Sequence, residues 1–144
     1  MPVAYLDVPE GIEIKEKEKL VKGIYDALCD AYRFSSDHRI FVREWPLGSV
    51  SQNGQLGWES PRLIFQILGP QGLDIEAKRR MMKGISAAVA NAYNNAPELV
   101  VFLQELSRDQ VAINGTLNVD DPKHLEGLDK PIEASSGLKA AYRQ

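Results

Sequence analysis

The chain repeats itself at a fixed spacing of 61 residues, and this duplication constrains its fold more than any other feature. The register holds without gaps from Pro9 to Leu56. Matching segments include Lys22-Gly23-Ile24 with Lys83-Gly84-Ile85, and Val50-x-x-Asn53-Gly54-x-Leu56 with Val111-x-x-Asn114-Gly115-x-Leu117. Other identities are Lys17 with Lys78, Tyr32 with Tyr93, Phe41 with Phe102 and Glu44 with Glu105. One offset kept over this length indicates a duplicated structural unit.

Each copy has the same order of predicted elements. An apolar run at residues 3–8 or 63–68 predicts a buried strand, and a turn that contains Pro and Gly follows it. Apolar residues then recur at helical spacing over residues 20–31 and 81–92. A second strand is predicted at residues 39–42 and 99–103, and the Asn-Gly dipeptide that follows it predicts a small hairpin.

This order predicts an α+β fold with two tandem β-α-β units, each with parallel strands. We expect a single domain over residues 1–144, with units at 2–57 and 61–117 and a C-terminal tail at 118–144. The two units together make a four-stranded sheet with both helices on one face. The opposite face, if apolar and uncovered, predicts that the chain oligomerises.

Composition excludes several classes of function. A hydrophobic content of 44% suits a globular domain, and a net charge of −3 lacks the basic character of a nucleic-acid-binding protein. Neither a signal peptide nor a long apolar run is visible, which predicts a cytoplasmic protein with no membrane segment. The single cysteine, Cys29, lies in a predicted helix and is expected to be a buried structural thiol. With two histidines, His38 and His124, no metal site is predicted.

The most informative single residue is Pro2, directly after the initiator methionine. Methionine is normally removed before a small residue, which would leave a free prolyl amine. This secondary amine is rigid, and an apolar pocket would lower its pKa enough for it to exchange protons near neutral pH. The second copy also begins with a proline, Pro61, but an internal nitrogen is acylated and cannot act as a base. Pro2 is therefore the candidate catalytic residue.

A duplicated β-α-β chain that begins Met-Pro resembles the tautomerase superfamily, in particular its double-length members of the cis-3-chloroacrylic acid dehalogenase and malonate semialdehyde decarboxylase type. The resemblance covers residues 2–117 and is carried by Pro2, Glu10-Gly11, Leu20-Val21, Glu105-Leu106 and the segments 44–50 and 111–117. It implies the tautomerase fold, a homotrimer, a catalytic Pro2, a small carboxylate substrate and no cofactor.

The resemblance also implies substrate-binding residues. Arg39 is similar to a family arginine that reaches the substrate from a neighbouring subunit, although a solvated charge at a strand edge is an equal alternative. Arg43 lies on the same strand face and is a second candidate. Phe102 and Ile113 are expected to form an apolar wall of the site, with core packing as the alternative for Phe102. Backbone N–H groups of residues 69–72 are a further candidate for holding an anion.

Several expected family residues are replaced. Pro70 and Leu73 stand where the dehalogenase and decarboxylase branches carry turn arginines, and Ile113 stands at the position of the dehalogenase's water-activating glutamate. This pattern disfavours dehalogenation and favours keto–enol tautomerisation of a 2-hydroxyalkenoate or an arylpyruvate enol. The alternatives are a dehalogenase, hydratase or decarboxylase of a three-carbon acid, a non-catalytic trimeric ligand-binding protein of the same fold, and a ferredoxin-like regulatory domain.

Overall fold

The two copies form equivalent β-α-β units, as the repeat predicts. The computed structural model describes residues 2–33, 37–57, 61–95 and 97–123. The first unit comprises β1 (Val3–Pro9), α1 (Ile14–Tyr32), β2 (Arg39–Trp45) and a hairpin of β3 (Ser51–Gln52) and β4 (Gln55–Leu56). The second unit comprises β5 (Arg62–Pro70), α2 (Ile75–Ala92), β6 (Glu98–Leu106) and a hairpin of β7 (Ala112–Ile113) and β8 (Thr116–Leu117).

Four strands form one mixed sheet in the order β2-β1-β5-β6. Strands of the same unit are parallel, whereas β1 and β5 run antiparallel at the centre. The two units are therefore related by an approximate twofold axis between the central strands. The predicted four-stranded sheet of paired β-α-β units is confirmed.

One face of this sheet packs against both helices. Burial alternates along the central strands, and the buried positions are Ala4, Leu6 and Val8 in β1 and Leu63, Phe65 and Ile67 in β5. They join one apolar cluster with helix residues that include Leu20, Ile24, Leu28, Met81 and Ile85. Removing this surface from water is the main term that stabilises the fold. Cys29 is also buried, as predicted.

The helices approach each other through repeated small residues. A Cβ atom built on Gly23 would lie 2.5 Å from Cβ of Ala88, and one built on Gly84 would lie 2.9 Å from Cβ of Ala27. The 61-residue offset relates Gly23 to Gly84 and Ala27 to Ala88, so the two contacts are equivalent. The duplication has therefore kept a symmetric close crossing at which no larger side chain fits.

The predicted hairpin turns are present in both copies. Asn53 and Gly54 have φ angles of 53° and 82°, and Asn114 and Gly115 have 53° and 86°. Two consecutive positive φ angles are typical of the type I′ turn that Asn-Gly favours. The hairpins form separate two-stranded sheets rather than extending the main one.

The main strands are longer than the apolar runs predict. Strand β5 continues through Gly69 and Pro70, which the sequence placed in a turn, because pairing with β6 extends to Pro70 opposite Leu106. Of the predicted tail, Asn118–Asp120 forms a 3₁₀ turn in which Asn118 is buried. His124 and the rest of the tail lie outside the described residues.

The second face of the sheet carries large apolar side chains at the surface. Phe41 is 50% exposed and Phe102 is 57% exposed. The ring of Tyr5 stacks on that of Phe41 at a centroid distance of 5.3 Å. In the described residues, no helix is long and apolar enough to cross a membrane.

Candidate functional site

Pro2 is fully buried directly before strand β1. At this end of β1, Val3 pairs with Arg39 of β2 and with Leu68 of β5. Continued by one residue, the register places Pro2 between His38 and Gly69. Because side chains alternate along a strand, Pro2 shares the helix-covered face with Ala4. The candidate catalytic ring therefore lies at the edge of the apolar core.

Gly69 provides the space for a tyrosine hydroxyl beside Pro2. A Cβ atom on Gly69 would overlap the hydroxyl oxygen of Tyr32 and would lie 2.7 Å from its Cζ atom. The hydroxyl thus occupies the position where the Gly69 side chain would begin. Cβ atoms opposite each other in an antiparallel pair are about 5 Å apart. The register consequently makes the Tyr32 hydroxyl a neighbour of the Pro2 ring.

A carboxylate and an ammonium group complete this cluster. Glu105 lies opposite Gly69 in the β5–β6 register, and Nζ of Lys78 donates a hydrogen bond to its Oε2 atom at 3.0 Å. Within the described ranges, the Tyr32 hydroxyl and Oε1 of Glu105 are buried and have no hydrogen-bond partner. Burial, and next the negative charge of Glu105, raise the pKa of Tyr32 to about 12. We refer to Tyr32, Glu105 and Lys78 as the Pro2-side cluster.

The duplication places the same three residue types at the opposite end of the sheet. Lys17 bonds Glu44 at 2.7 Å, and burial followed by the charge of Glu44 raises the pKa of Tyr93 to about 12. We refer to Tyr93, Glu44 and Lys17 as the mirror cluster. Here Val8 occupies the position equivalent to Gly69, and Leu63 occupies that of Pro2.

A surface cavity of about 380 Å³ lies beside Tyr93, between the β1–α1 turn and the end of α2. Its lining includes Glu10, Glu13 and Glu16. Three carboxylates repel a negatively charged ligand. The mirror end is therefore unsuited to a carboxylate substrate.

Tyr32 and Tyr93, whose hydroxyl groups are buried, make stability sensitive to alkaline pH. Their pKa values are raised from about 10 to about 12. Their contribution to the free energy of unfolding is complete below pH 10 and is lost as the pH rises to 12. In this window the unfolded chain releases the phenolic protons more readily than the folded chain does. We expect the urea midpoint to fall over this window, and to fall less steeply in the Tyr32→Phe/Tyr93→Phe double variant. Equal slopes would contradict this account, and Tyr5→Phe is the control.

The predicted site residues are distributed unevenly around Pro2. Arg39 is nearest, since it begins β2 opposite Val3 on the exposed face of the sheet. Its side chain is 71% exposed, and Nε donates to Oδ1 of Asp37 at 3.1 Å. An exposed guanidinium one residue from the Pro2 level is accessible to a carboxylate ligand.

Arg43 is engaged elsewhere. It lies opposite Asp7 and donates two 2.8 Å hydrogen bonds to the Asp7 carboxylate, while its guanidinium stacks over the ring of Tyr5. The indole N–H of Trp45 donates to the same carboxylate. Arg43 lies four positions along the strand from Arg39, about 13 Å away. Within one chain, Arg43 is thus bound to Asp7 and is not brought to Pro2.

The two predicted wall residues are exposed. Phe102 lies in β6, two strands from β1, and its 57% exposure shows that the alternative of core packing within one chain is wrong. Ile113 lies in the β7–β8 hairpin, outside the main sheet, and is 40% exposed. The structure of one chain does not bring Phe102 and Pro2 together.

Residues 69–72, at the end of β5 and in the turn that follows, offer fewer anion donors than the sequence suggests. Pro70 has no N–H group, and the N–H of Gln71 donates to the carbonyl of Leu106 at 3.3 Å. Two of the four backbone positions are therefore excluded as ligands for an anion.

The described part of the chain holds no cluster of three or more His, Cys, Asp or Glu residues arranged for a metal ion. Burial raises the pKa of the Cys29 thiol, which disfavours the reactive thiolate.

Sequence reasoning missed the Pro2-side cluster, although a signal for it was present. Lys78, Glu105 and Tyr32 all belong to the few polar identities that the 61-residue register preserves. The Lys and Glu residues of this set form an ion pair in each copy. The cluster joins Tyr32 from the first copy to residues of the second, and this grouping depends on the central β1–β5 pairing.

Comparison with solved structures identifies the fold. F6 fused 4-OT, described as a wild-type asymmetric trimer, is 20% identical with a TM-score of 0.69, over 89% of this chain and 99% of that chain. Pt0534 inactivated by 2-oxo-3-pentynoate is 19% identical with a TM-score of 0.70, over 80% and 95%. FG41 malonate semialdehyde decarboxylase inhibited by 3-bromopropiolate is 13% identical with a TM-score of 0.65, over 90% and 99%.

No family model matches the sequence, and no curated protein sequence matches it. The structural likenesses show that the chain has the fold of these tautomerase-superfamily proteins. The resemblance drawn from the sequence is thus confirmed at the level of the fold.

Proposed function

We propose that the chain is a keto–enol tautomerase that uses the free amine of Pro2 as general base and general acid. The observation that carries this proposal is the full burial of Pro2 at the level of Gly69, with the Tyr32 hydroxyl in the Gly69 side-chain position. Burial disfavours the charged form of an amine, so it keeps a larger neutral fraction ready to accept a proton at neutral pH.

The proposed reaction transfers one proton and leaves the substrate's composition unchanged. The neutral Pro2 nitrogen takes the proton of the 2-hydroxyl group of an enol, whose oxygen becomes the ketone. The electrons of the C2–C3 double bond then take the same proton back from the prolinium at C3. Arg39 is proposed to hold the substrate carboxylate through its exposed guanidinium.

A homotrimer is proposed to complete the site. Fused 4-OT proteins with this fold are described as trimers. Phe41 and Phe102 expose apolar surface on the uncovered sheet face, and such surface is typical of subunit interfaces. Phe102, Ile113 and Arg43 are proposed to act toward the Pro2 site of a neighbouring copy.

Decarboxylation of a three-carbon acid is the competing proposal, because the fold is shared with malonate semialdehyde decarboxylase. The replacement of turn arginines by Pro70 and Leu73 weighs against it. A ligand-binding trimer without catalysis is the other alternative.

A substrate panel in D₂O distinguishes these functions. We expect phenylenolpyruvate and a 2-hydroxydienoate to be ketonised faster than in buffer, with deuterium entering C3 in one stereochemical configuration, as seen by NMR. Loss of CO₂ from malonate semialdehyde without ketonisation would favour the decarboxylase. Rates equal to buffer for every substrate would contradict catalysis of any of these kinds.

A further inference from the structure

The carboxylate of the Pro2-side cluster lies two strands from Pro2, at the same level of the sheet. Glu105 is opposite Gly69, and Gly69 is at the Pro2 level on the neighbouring strand. The side chains of Lys78 and Glu105 are only 31% and 25% exposed, so solvent screens their charges incompletely. An isolated carboxylate here would stabilise the prolinium cation, which cannot accept a proton.

We propose that Lys78, Glu105 and Tyr32 are positioning residues for Pro2, and that Lys78 keeps the amine neutral by cancelling the charge of Glu105. This inference rests on the proposed function, since it assumes that Pro2 is the reacting amine. The Tyr32 hydroxyl fills the space above Gly69, and its proposed role is to restrict the position of the Pro2 ring. Substrate need not touch any of the three residues.

The duplication supplies a built-in comparison. The mirror cluster contains the same three residue types and an ion pair of similar length, 2.7 Å against 3.0 Å. The residue equivalent to Pro2 is Leu63, which has no titratable nitrogen. If both clusters only support the fold, equivalent variants will have equivalent effects. If the Pro2-side cluster also controls the amine, only its variants will change the protonation of Pro2.

Other titratable groups near Pro2 must be separated from this effect. His38 precedes β2 at the Pro2 level and contacts the ring of Tyr25 edge-on, and Asp37 pairs with Arg39 just beyond it. The groups on the β5 side of Pro2 are those of the Pro2-side cluster itself: Tyr32 from α1, Lys78 from α2 and Glu105 from β6. A His38→Gln background removes any contribution of this imidazole to the pH profile of labelling.

The test measures the pH dependence of covalent labelling by 2-oxo-3-pentynoate, the compound that inactivates Pt0534. The Pro2 nitrogen adds to the alkyne and its proton moves to the neighbouring carbon, so the chain gains the whole mass of the reagent. The labelling rate, followed by intact mass and peptide mapping, reports the apparent pKa of the amine. The full chain is used, and circular dichroism confirms that each variant folds.

Opposite shifts are expected from the two halves of the ion pair. Lys78→Met should raise the apparent pKa by about 0.5–1 unit and slow labelling at low pH about threefold to tenfold. Glu105→Gln should lower it by a similar amount and speed labelling at low pH, so either folded variant alone is decisive. Lys78→Arg, Lys17→Met and Glu44→Gln should retain the parental profile.

The outcomes separate this inference from the proposed function. Labelling at Pro2 with the parental profile in a folded Lys78→Met or Glu105→Gln variant would overturn the inference and leave a reactive Pro2. Equal shifts in the mirror variants would also overturn it, since the effect would then be general. The absence of any label on Pro2 in the parent chain would instead overturn the proposed function.

Discussion

Replacing Pro2 with alanine is expected to slow ketonisation of phenylenolpyruvate by at least about 100-fold in kcat/KM, the lower end of what general acid–base catalysis contributes. The alanine variant still has an amine if Met1 is removed. However, it lacks the ring that fixes the nitrogen's direction, and it leaves a void where the parent side chain is fully buried. The rate should fall even where circular dichroism shows that the Pro2→Ala chain is folded.

Pro61 provides the matched control for this variant. It stands before β5 as Pro2 stands before β1, but its nitrogen is part of a peptide bond and it is exposed. Pro61→Ala should keep the parental rate. If Pro2→Ala kept at least half of the parental kcat/KM with a native circular dichroism spectrum, Pro2 would not be the base.

The largest effect on stability is expected at the helix crossing. Gly23→Val should lower the free energy of unfolding by about 3 kcal/mol, the upper part of the range for overpacked positions. Its Cβ atom already meets Cβ of Ala88 at 2.5 Å, and the branched side chain must push α1 and α2 apart. The urea midpoint at constant protein concentration measures this change.

Gly48→Val is the control, because a Cβ atom on Gly48 meets nothing within 4 Å. It should shift the midpoint little. The pseudo-twofold relation adds a second check, since Gly84→Val must destabilise the chain by a comparable amount. A Gly23→Val chain as stable as Gly48→Val would show that the helices do not cross closely at this position.

Sequence reasoning predicted the repeated elements because each rests on local chemistry. The 61-residue register, the helical spacing of apolar residues and the Asn53-Gly54 and Asn114-Gly115 turns can all be recognised within one unit. The antiparallel pairing of β1 with β5 could not be predicted in the same way. It depends on how the two helices pack across the axis between the units, and that packing consists of contacts between residues far apart in the sequence.

The candidate site was predicted only in part, for the same reason. Pro2 and Arg39 carry signals of their own, the first by its position and the second by family resemblance. The engagement of Arg43 with Asp7 requires the parallel register of β1 and β2. The contact of Tyr32 with Gly69 requires the two copies to be assembled.

The most direct test of the account is to map the label left by 3-bromopropiolate, the compound that inhibits malonate semialdehyde decarboxylase of this fold. We expect intact mass to show that Met1 is removed, and inactivation to be accompanied by one label per chain, on the Pro2 nitrogen. A chain that retains Met1, or that is inactivated with Pro2 unmodified and the label elsewhere, would contradict it.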